Sequence, residues 1–325
     1  MRALFNTYPV AFHTPGGGEI QLLNTKEALT ELGVNVDLYD LWHPKIREAD
    51  VVHYFSVFGG SSVFCNFVKD LGKPLAISSV LYPHKNLERY PMGEIRHLLS
   101  IADVVLPNSI HEGELLSKVF DLPISKFRPV YNGVDRIFLS DPEFDGSLFR
   151  EKFSVDGPFL LSVANIEERK NQIALARALA KTDFQLILFG NIRSQSYFDE
   201  MNRVSNGKIR YLGYLPNHSE LLRSAYLACE AFLLPSFLET PGLAALEAAS
   251  MGAKVVVTSV GSTREYFENL VHYVDPEDES SILPAIDSAL NAPASSALKN
   301  HVRSRFTWEN AAKQTLSAYR EILGS

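Results

Sequence analysis

The apolar residues of this chain fall in short runs rich in Val, Ile, Leu and Phe and closed by turn-forming residues, the pattern of strands buried on both faces. Runs at 3–6, 34–39, 51–55, 75–79, 104–107 and 127–131 occupy the first part, with helical stretches such as 19–31 and 112–120 between them. A second series follows the Asp-, Pro- and Gly-containing stretch 141–146, at 159–163, 184–189, 209–213, 231–234, 255–259 and 271–274. Strands alternating with helices predict parallel sheets, hence an α/β fold of two Rossmann-like domains, 1–140 and 141–304. A last helical pattern, 306–323, begins with Thr307 as its N-cap. Parallel sheets bind ligands at the carboxyl ends of their strands, which predicts a site in a cleft between the two domains.

One stretch of the second series carries candidate chemistry. From Pro235 to Gly261 the pattern reads as loop, helix and strand: Pro235 and Ser236 end an apolar run, and Pro241-Gly242 opens an alanine-rich helix that stops at Gly252. Glu239 lies in the loop and Glu247 about one turn inside the helix. A helix start offers free N–H groups and the positive end of a dipole to an anion, while two carboxylates accept hydrogen bonds from hydroxyls. An anion flanked by polyols describes a nucleoside-diphosphate sugar. Acids near a helix start also occur merely because they complement the dipole.

Composition narrows the function. With 325 residues, 46% hydrophobic and 21% charged, the chain has material for two ordinary cores. The net charge of −7 argues against nucleic-acid binding. Cys65 and Cys229 stand in apolar surroundings without metal-ligand spacing, which predicts free thiols in a reducing compartment, the cytoplasm. The N-terminus lacks the apolar core of a signal peptide, and no segment approaches the roughly 18 apolar residues of a membrane span. Residues 1–150 hold 14 basic against 18 acidic residues, a net of −4, so a basic membrane-docking surface is not evident and attachment at the inner membrane face is at most peripheral.

The two glutamates with seven residues between them, followed by the Met251-Gly252-Ala253-Lys254 turn and a buried strand, resemble the signature of glycosyltransferase family 4, retaining enzymes of the GT-B fold. That resemblance covers nearly the whole chain and implies that the tail, 305–325, returns to the first domain. It implies that Glu247 holds the donor's ribose hydroxyls and Glu239 contacts the transferred sugar. Thr240, Pro241, Gly242 and Leu243 then form the donor-side helix start. The string from Ser162 to Asn171 resembles the family's strand-end motif, in which an Arg and a Lys neutralise the donor diphosphate. Lys170 matches, but Asn165 replaces the arginine, and Arg169 or Arg264 is expected to supply the missing cation. Gly190, and the loop Gly213-Tyr214-Leu215, resemble positions that enclose the nucleotide base.

The first domain matches less closely. Gly16-Gly17-Gly18 resembles the family's glycine loop, expected to contact donor or acceptor, although a plain tight turn would read alike. Val80 stands where a family histidine is expected, and His53, at the end of the third strand, matches another, implying a catalytic role. No Asp-x-Asp motif occurs, so the resemblance implies neither a metal nor another cofactor. The function expected is retaining transfer of a sugar from a UDP- or GDP-sugar to a hydroxyl of a glycan, lipid-linked or small acceptor. A sugar-nucleotide epimerase and a non-catalytic sugar-nucleotide binding subunit remain alternatives.

Overall fold

The computed structural model describes residues 1–13 and 15–324. The chain forms two compact units, one made of Met1–Gly133 together with the chain from Phe306 onward, the other of Val134–Arg305.

The first unit holds five parallel strands, β1 (Arg2–Asn6), β2 (Asn35–Leu38), β3 (Val51–Phe55), β4 (Leu75–Ser78) and β5 (Val104–Leu106), in the order β2-β1-β3-β4-β5. β3 and β4 are buried along their whole length, as runs without alternation require. The stretch 127–131 makes only a single bridge, Val105 to Phe127, instead of a sixth strand. Pro129 removes a ladder donor there, so the segment is held by Arg128 N–H to Val105 O (2.9 Å) and Val130 N–H to Pro107 O (2.8 Å).

The final helix, Trp308–Leu323, is capped by Thr307, whose hydroxyl accepts from Asn310 N (3.1 Å). Its buried Ala311, Ala312, Thr315, Ala318 and Tyr319 recur at helical spacing on one face, which packs against the helix Gly17–Glu31. Arg128 pairs with Glu321 near its end (Nε–Oε2 2.9 Å).

The second unit holds six parallel strands, β6 (Leu160–Val163), β7 (Leu186–Phe189), β8 (Ile209–Tyr211), β9 (Ala231–Leu234), β10 (Val255–Thr258) and β11 (His272–Val274), in the order β11-β10-β9-β6-β7-β8. Strand order therefore reverses between β6 and β9. Connections leave those neighbours toward opposite sides, opening a crevice past their carboxyl ends. Below it lies a core of Leu160, Leu175, Leu186, Leu188, Leu233, Val256 and Ile286.

Candidate active site

The segments after β6 and β9, adjacent only because of this strand order, bring the candidate residues together. After β6 the chain makes one 3-10 turn, Glu168–Lys170, ended by Asn171 in the left-handed region (φ 57°). Asn tolerates that conformation, and its amide donates to Pro235 O (3.2 Å) and Pro276 O (3.0 Å), fixing the turn to the segment after β9. Phe237 N–H to Arg169 O (2.9 Å) makes a second tie.

Lys170 Nζ donates to Glu239 Oε1 at 2.5 Å, and Arg169 Nη1 stands 3.8 Å from the same oxygen. The Lys170 and Glu239 side chains are only 11% and 6% exposed, so their attraction is little screened by water. Burial alone would raise the Glu239 carboxyl, but the charges of Lys170 and Arg169 outweigh it and hold the group below its ordinary value. Burial pulls the Lys170 ammonium down against the opposing attraction of Glu239.

The backbone around Glu239 depends on Gly261. With φ at +102°, a Cβ on Gly261 would lie 2.1 Å from the Glu239 carbonyl oxygen, and that oxygen accepts from Ser262 N (2.9 Å). Because the obstacle is backbone, it has no rotamer by which to yield. Gly261→Ala is expected to cost at least about 2 kcal/mol through strain and overpacking. Urea unfolding measures it; a change below about 0.5 kcal/mol would mean the loop shifts freely.

Past the cis Thr240–Pro241 peptide, the helix Leu243–Ser250 starts behind Gly242. Leu243 and Ala244 present backbone N–H groups within that first turn. Glu247, one turn in, is buried, and its Oε2 accepts from Tyr226 OH (2.9 Å). Burial raises its carboxyl to about 8, only partly offset by that hydrogen bond. Glu247 is thus largely a neutral acid at pH 7 until hydroxyl donors favour its charge.

Gly190 and Gly213, after β7 and β8, are joined by Gly190 N–H to Gly213 O (2.8 Å), and Tyr211 OH donates to Gly190 O (2.8 Å). Tyr214 is exposed beside them and Leu215 buried. Asn165 lies two residues past the end of β6. Arg264, by contrast, lays its guanidinium over the Tyr273 ring, 4.4 Å from the centroid. Arg193 was missed by sequence reasoning: it stands four residues past β7, and its nearness to Asn165 follows from β6 and β7 being neighbours.

The first unit gives its candidates different surroundings. His53 is 1% exposed, with Nδ1 2.6 Å from Tyr319 OH and Nε2 2.9 Å from Ser78 Oγ. Burial lowers its pKa to about 3, so the ring is neutral and both nitrogens are engaged within the unit. The ring thus ties β3 to β4 and to the last helix, and it is in this setting that the structure places the expected catalytic His53. At the glycine loop, Glu19 Oε2 accepts from Gly16 N (2.6 Å) and Tyr8 OH lies 3.2 Å from Oε1, while Gly17 faces open space and Gly18 approaches Val80. A carboxylate already holding the loop N–H makes this helix start better suited to hydroxyls than to phosphate. Val80 itself has φ +45°, a strained conformation for a β-branched residue.

Among the described residues, no group of three or more His, Cys, Asp or Glu side chains is arranged to hold a metal, and no helix is long and apolar enough to cross a membrane. Cys65 and Cys229 are both free thiols.

A family model, Glycosyl transferases group 1, matches residues 145–313. The O-antigen chain mannosyltransferase B of Escherichia coli is 28% identical over 257 residues, 74% of this chain and 66% of that protein. An uncharacterized glycosyltransferase of Methanocaldococcus jannaschii is 27% identical over 236 residues, 65% of this chain and 59% of that protein. The chain thus matches less than two thirds of the length of these curated relatives. Among solved structures, a sucrose-phosphate synthase from Thermosynechococcus elongatus superposes with a TM-score of 0.82 at 20% identity, covering 99% of each chain. Anabaena HepE, solved with UDP-glucose, superposes at 0.79 with 18% identity over 98% of this chain and 100% of that one. These likenesses identify the pair of parallel-sheet units as the GT-B fold.

Proposed function

The chain belongs to the glycosyl transferases group 1 family, and from that premise we propose that it is a transferase that moves a sugar from a nucleoside-diphosphate sugar to an acceptor hydroxyl with retention of anomeric configuration. The observation that carries the donor assignment is the Lys170–Glu239–Arg169 cluster at the reversal of strand order, beside the helix start at Gly242. Lys170, Arg169 and the N–H groups of Leu243 and Ala244 meet the diphosphate as it departs. Glu239 accepts hydrogen bonds from the transferred sugar, and Glu247 from the ribose. Gly190, Gly213, Tyr214 and Leu215 border the base, while Thr240, Pro241 and Gly242 shape the turn under the phosphates. The hydroxyl-friendly helix start at Gly16–Gly18 suits a sugar, of donor or acceptor. Preorganised protein charge meets the leaving group, which makes a divalent ion unnecessary.

Calorimetric titration with UDP, GDP and their glucose and mannose derivatives tests the donor reading, and product stereochemistry with a supplied glycan acceptor tests retention. Nucleoside-diphosphate binding is expected to persist in EDTA. Binding abolished by the chelator and restored by Mg2+ would overturn the metal-independent mechanism. The HepE complex makes UDP-glucose the first donor to try.

A further inference from the structure

Resting on the donor reading above, we propose that Arg193, oriented by Asn165, binds the donor diphosphate in place of the arginine missing at position 165. A carboxamide carries no charge to set against a diphosphate, so Asn165 alone leaves that position neutral. The structure brings a guanidinium to it from the next strand. β6 and β7 are adjacent and parallel, and past their ends the backbones remain joined by Ala164 N–H to Phe189 O (2.9 Å), Ile166 N–H to Asn191 O (2.9 Å) and Arg193 N–H to Ile166 O (3.1 Å). Gly190 permits this approach, since with φ +148° a Cβ there would lie 1.8 Å from the Ala164 carbonyl oxygen.

With the two backbones locked together, Asn165 becomes a clamp. In the amide orientation that pairs acceptor with donor, its side-chain oxygen accepts from Arg193 Nε (3.0 Å) and Nη2 (3.2 Å). Gln172 Nε2 donates to the Asn165 backbone oxygen (2.8 Å), steadying the clamp from behind. A two-point contact along one edge of the fork fixes the guanidinium plane. Because the partner is neutral, the contact orients Arg193 without cancelling its charge.

The guanidinium stands in a row of alternating charges. Glu167 stands between Arg169 (Oε1 to Nη2, 3.1 Å) and Arg193 (Oε2 to Nη1, 3.8 Å), and Glu239 lies between Arg169 and Lys170. Arg193, Arg169 and Lys170 thus alternate with Glu167 and Glu239 along this turn. The Arg193 side chain is 35% exposed, whereas that of Lys170 is 11% exposed and donates to Glu239. Arg193 thus supplies, from β7, the planar two-donor contact that the strand-end position on β6 lacks.

The test is calorimetric titration of the full chain with UDP and GDP, each compared with its nucleoside, uridine or guanosine. Arg193→Gln is expected to weaken the diphosphate that binds by more than tenfold and to leave the corresponding nucleoside within twofold. Arg193→Lys should recover part of the loss, and Asn165→Arg in the Arg193→Gln background should recover most of it by returning the cation to β6. Unchanged diphosphate affinity in Arg193→Gln would overturn the assignment while leaving the donor reading intact. Equal weakening of nucleoside and diphosphate would also overturn it, since that is the signature of a merely structural residue. If wild type binds neither diphosphate, the donor reading falls and this assignment with it.

Discussion

Lys170→Ala is expected to lower kcat/KM by at least a hundredfold, about 2.7 kcal/mol of transition-state stabilisation at 1.36 kcal/mol per tenfold. It removes the ammonium closest to Glu239 in a setting where both side chains are nearly dry. The same change leaves a buried carboxylate without its partner, a loss of about 3–5 kcal/mol in fold stability. The two effects separate in the double variant Lys170→Ala with Glu239→Gln: removing both charges restores much of the stability, because no unpaired ion remains, but leaves the leaving group unmet. Unfolding curves and steady-state kinetics on the single and double variants make the measurement. Activity returning in step with stability would reduce Lys170 to a structural ion.

Nucleoside-diphosphate affinity is expected to rise with pH between about 6 and 8 and to flatten above, as Glu247 loses its proton. Burial holds the free carboxyl at about 8. Ribose hydroxyls donate to a carboxylate better than to an acid, so binding favours the ionised form and releases a proton below that value. The slope approaches tenfold per pH unit at its steepest, the 1.36 kcal/mol equivalent of one unit. Glu247→Gln should bind more weakly at pH 8 and lose this part of the pH dependence; titration across pH on both proteins isolates it from ionisation of the phosphates. An identical profile in the variant would remove Glu247 from the nucleotide site. For the unliganded fold the sign is opposite. The folded state keeps a proton that the unfolded chain releases near 4.5, so Glu247 contributes stability that is lost as pH rises toward 8.

What the sequence disclosed and what it withheld divide along a physical line. Fully buried strands announce themselves as unbroken apolar runs: 51–55 and 231–234 were legible to the residue, and most others to within one or two positions. Segment 127–131 misled because β propensity does not register the donor that Pro129 lacks. The positions of Lys170, Glu239 and Glu247, in the segments after β6 and β9 and in the helix that follows, were legible through their register after strands and a helix start. Arg193 was not, because its relation to Asn165 lies in the β6–β7 pairing, and β7 follows β6 by a whole helix. The surroundings of His53 were hidden for the converse reason: a strand-end histidine looks alike in sequence whether its ring is open or closed in, and its partner Tyr319 lies 266 residues away.

That distant tyrosine sets an order of assembly. The second unit is one continuous stretch, Val134–Arg305, whereas the first needs the helix Trp308–Leu323 to cover the helix Gly17–Glu31 and to engage His53. On the ribosome all five strands of the first unit emerge before the second unit, yet its cover follows only after about 170 further residues. At ~5–20 residues per second, that is a wait of ~10–30 s with an apolar face uncovered. Of these two units, the one begun earlier is therefore the one finished later, and the time it spends unroofed is when a chaperone has most to offer it.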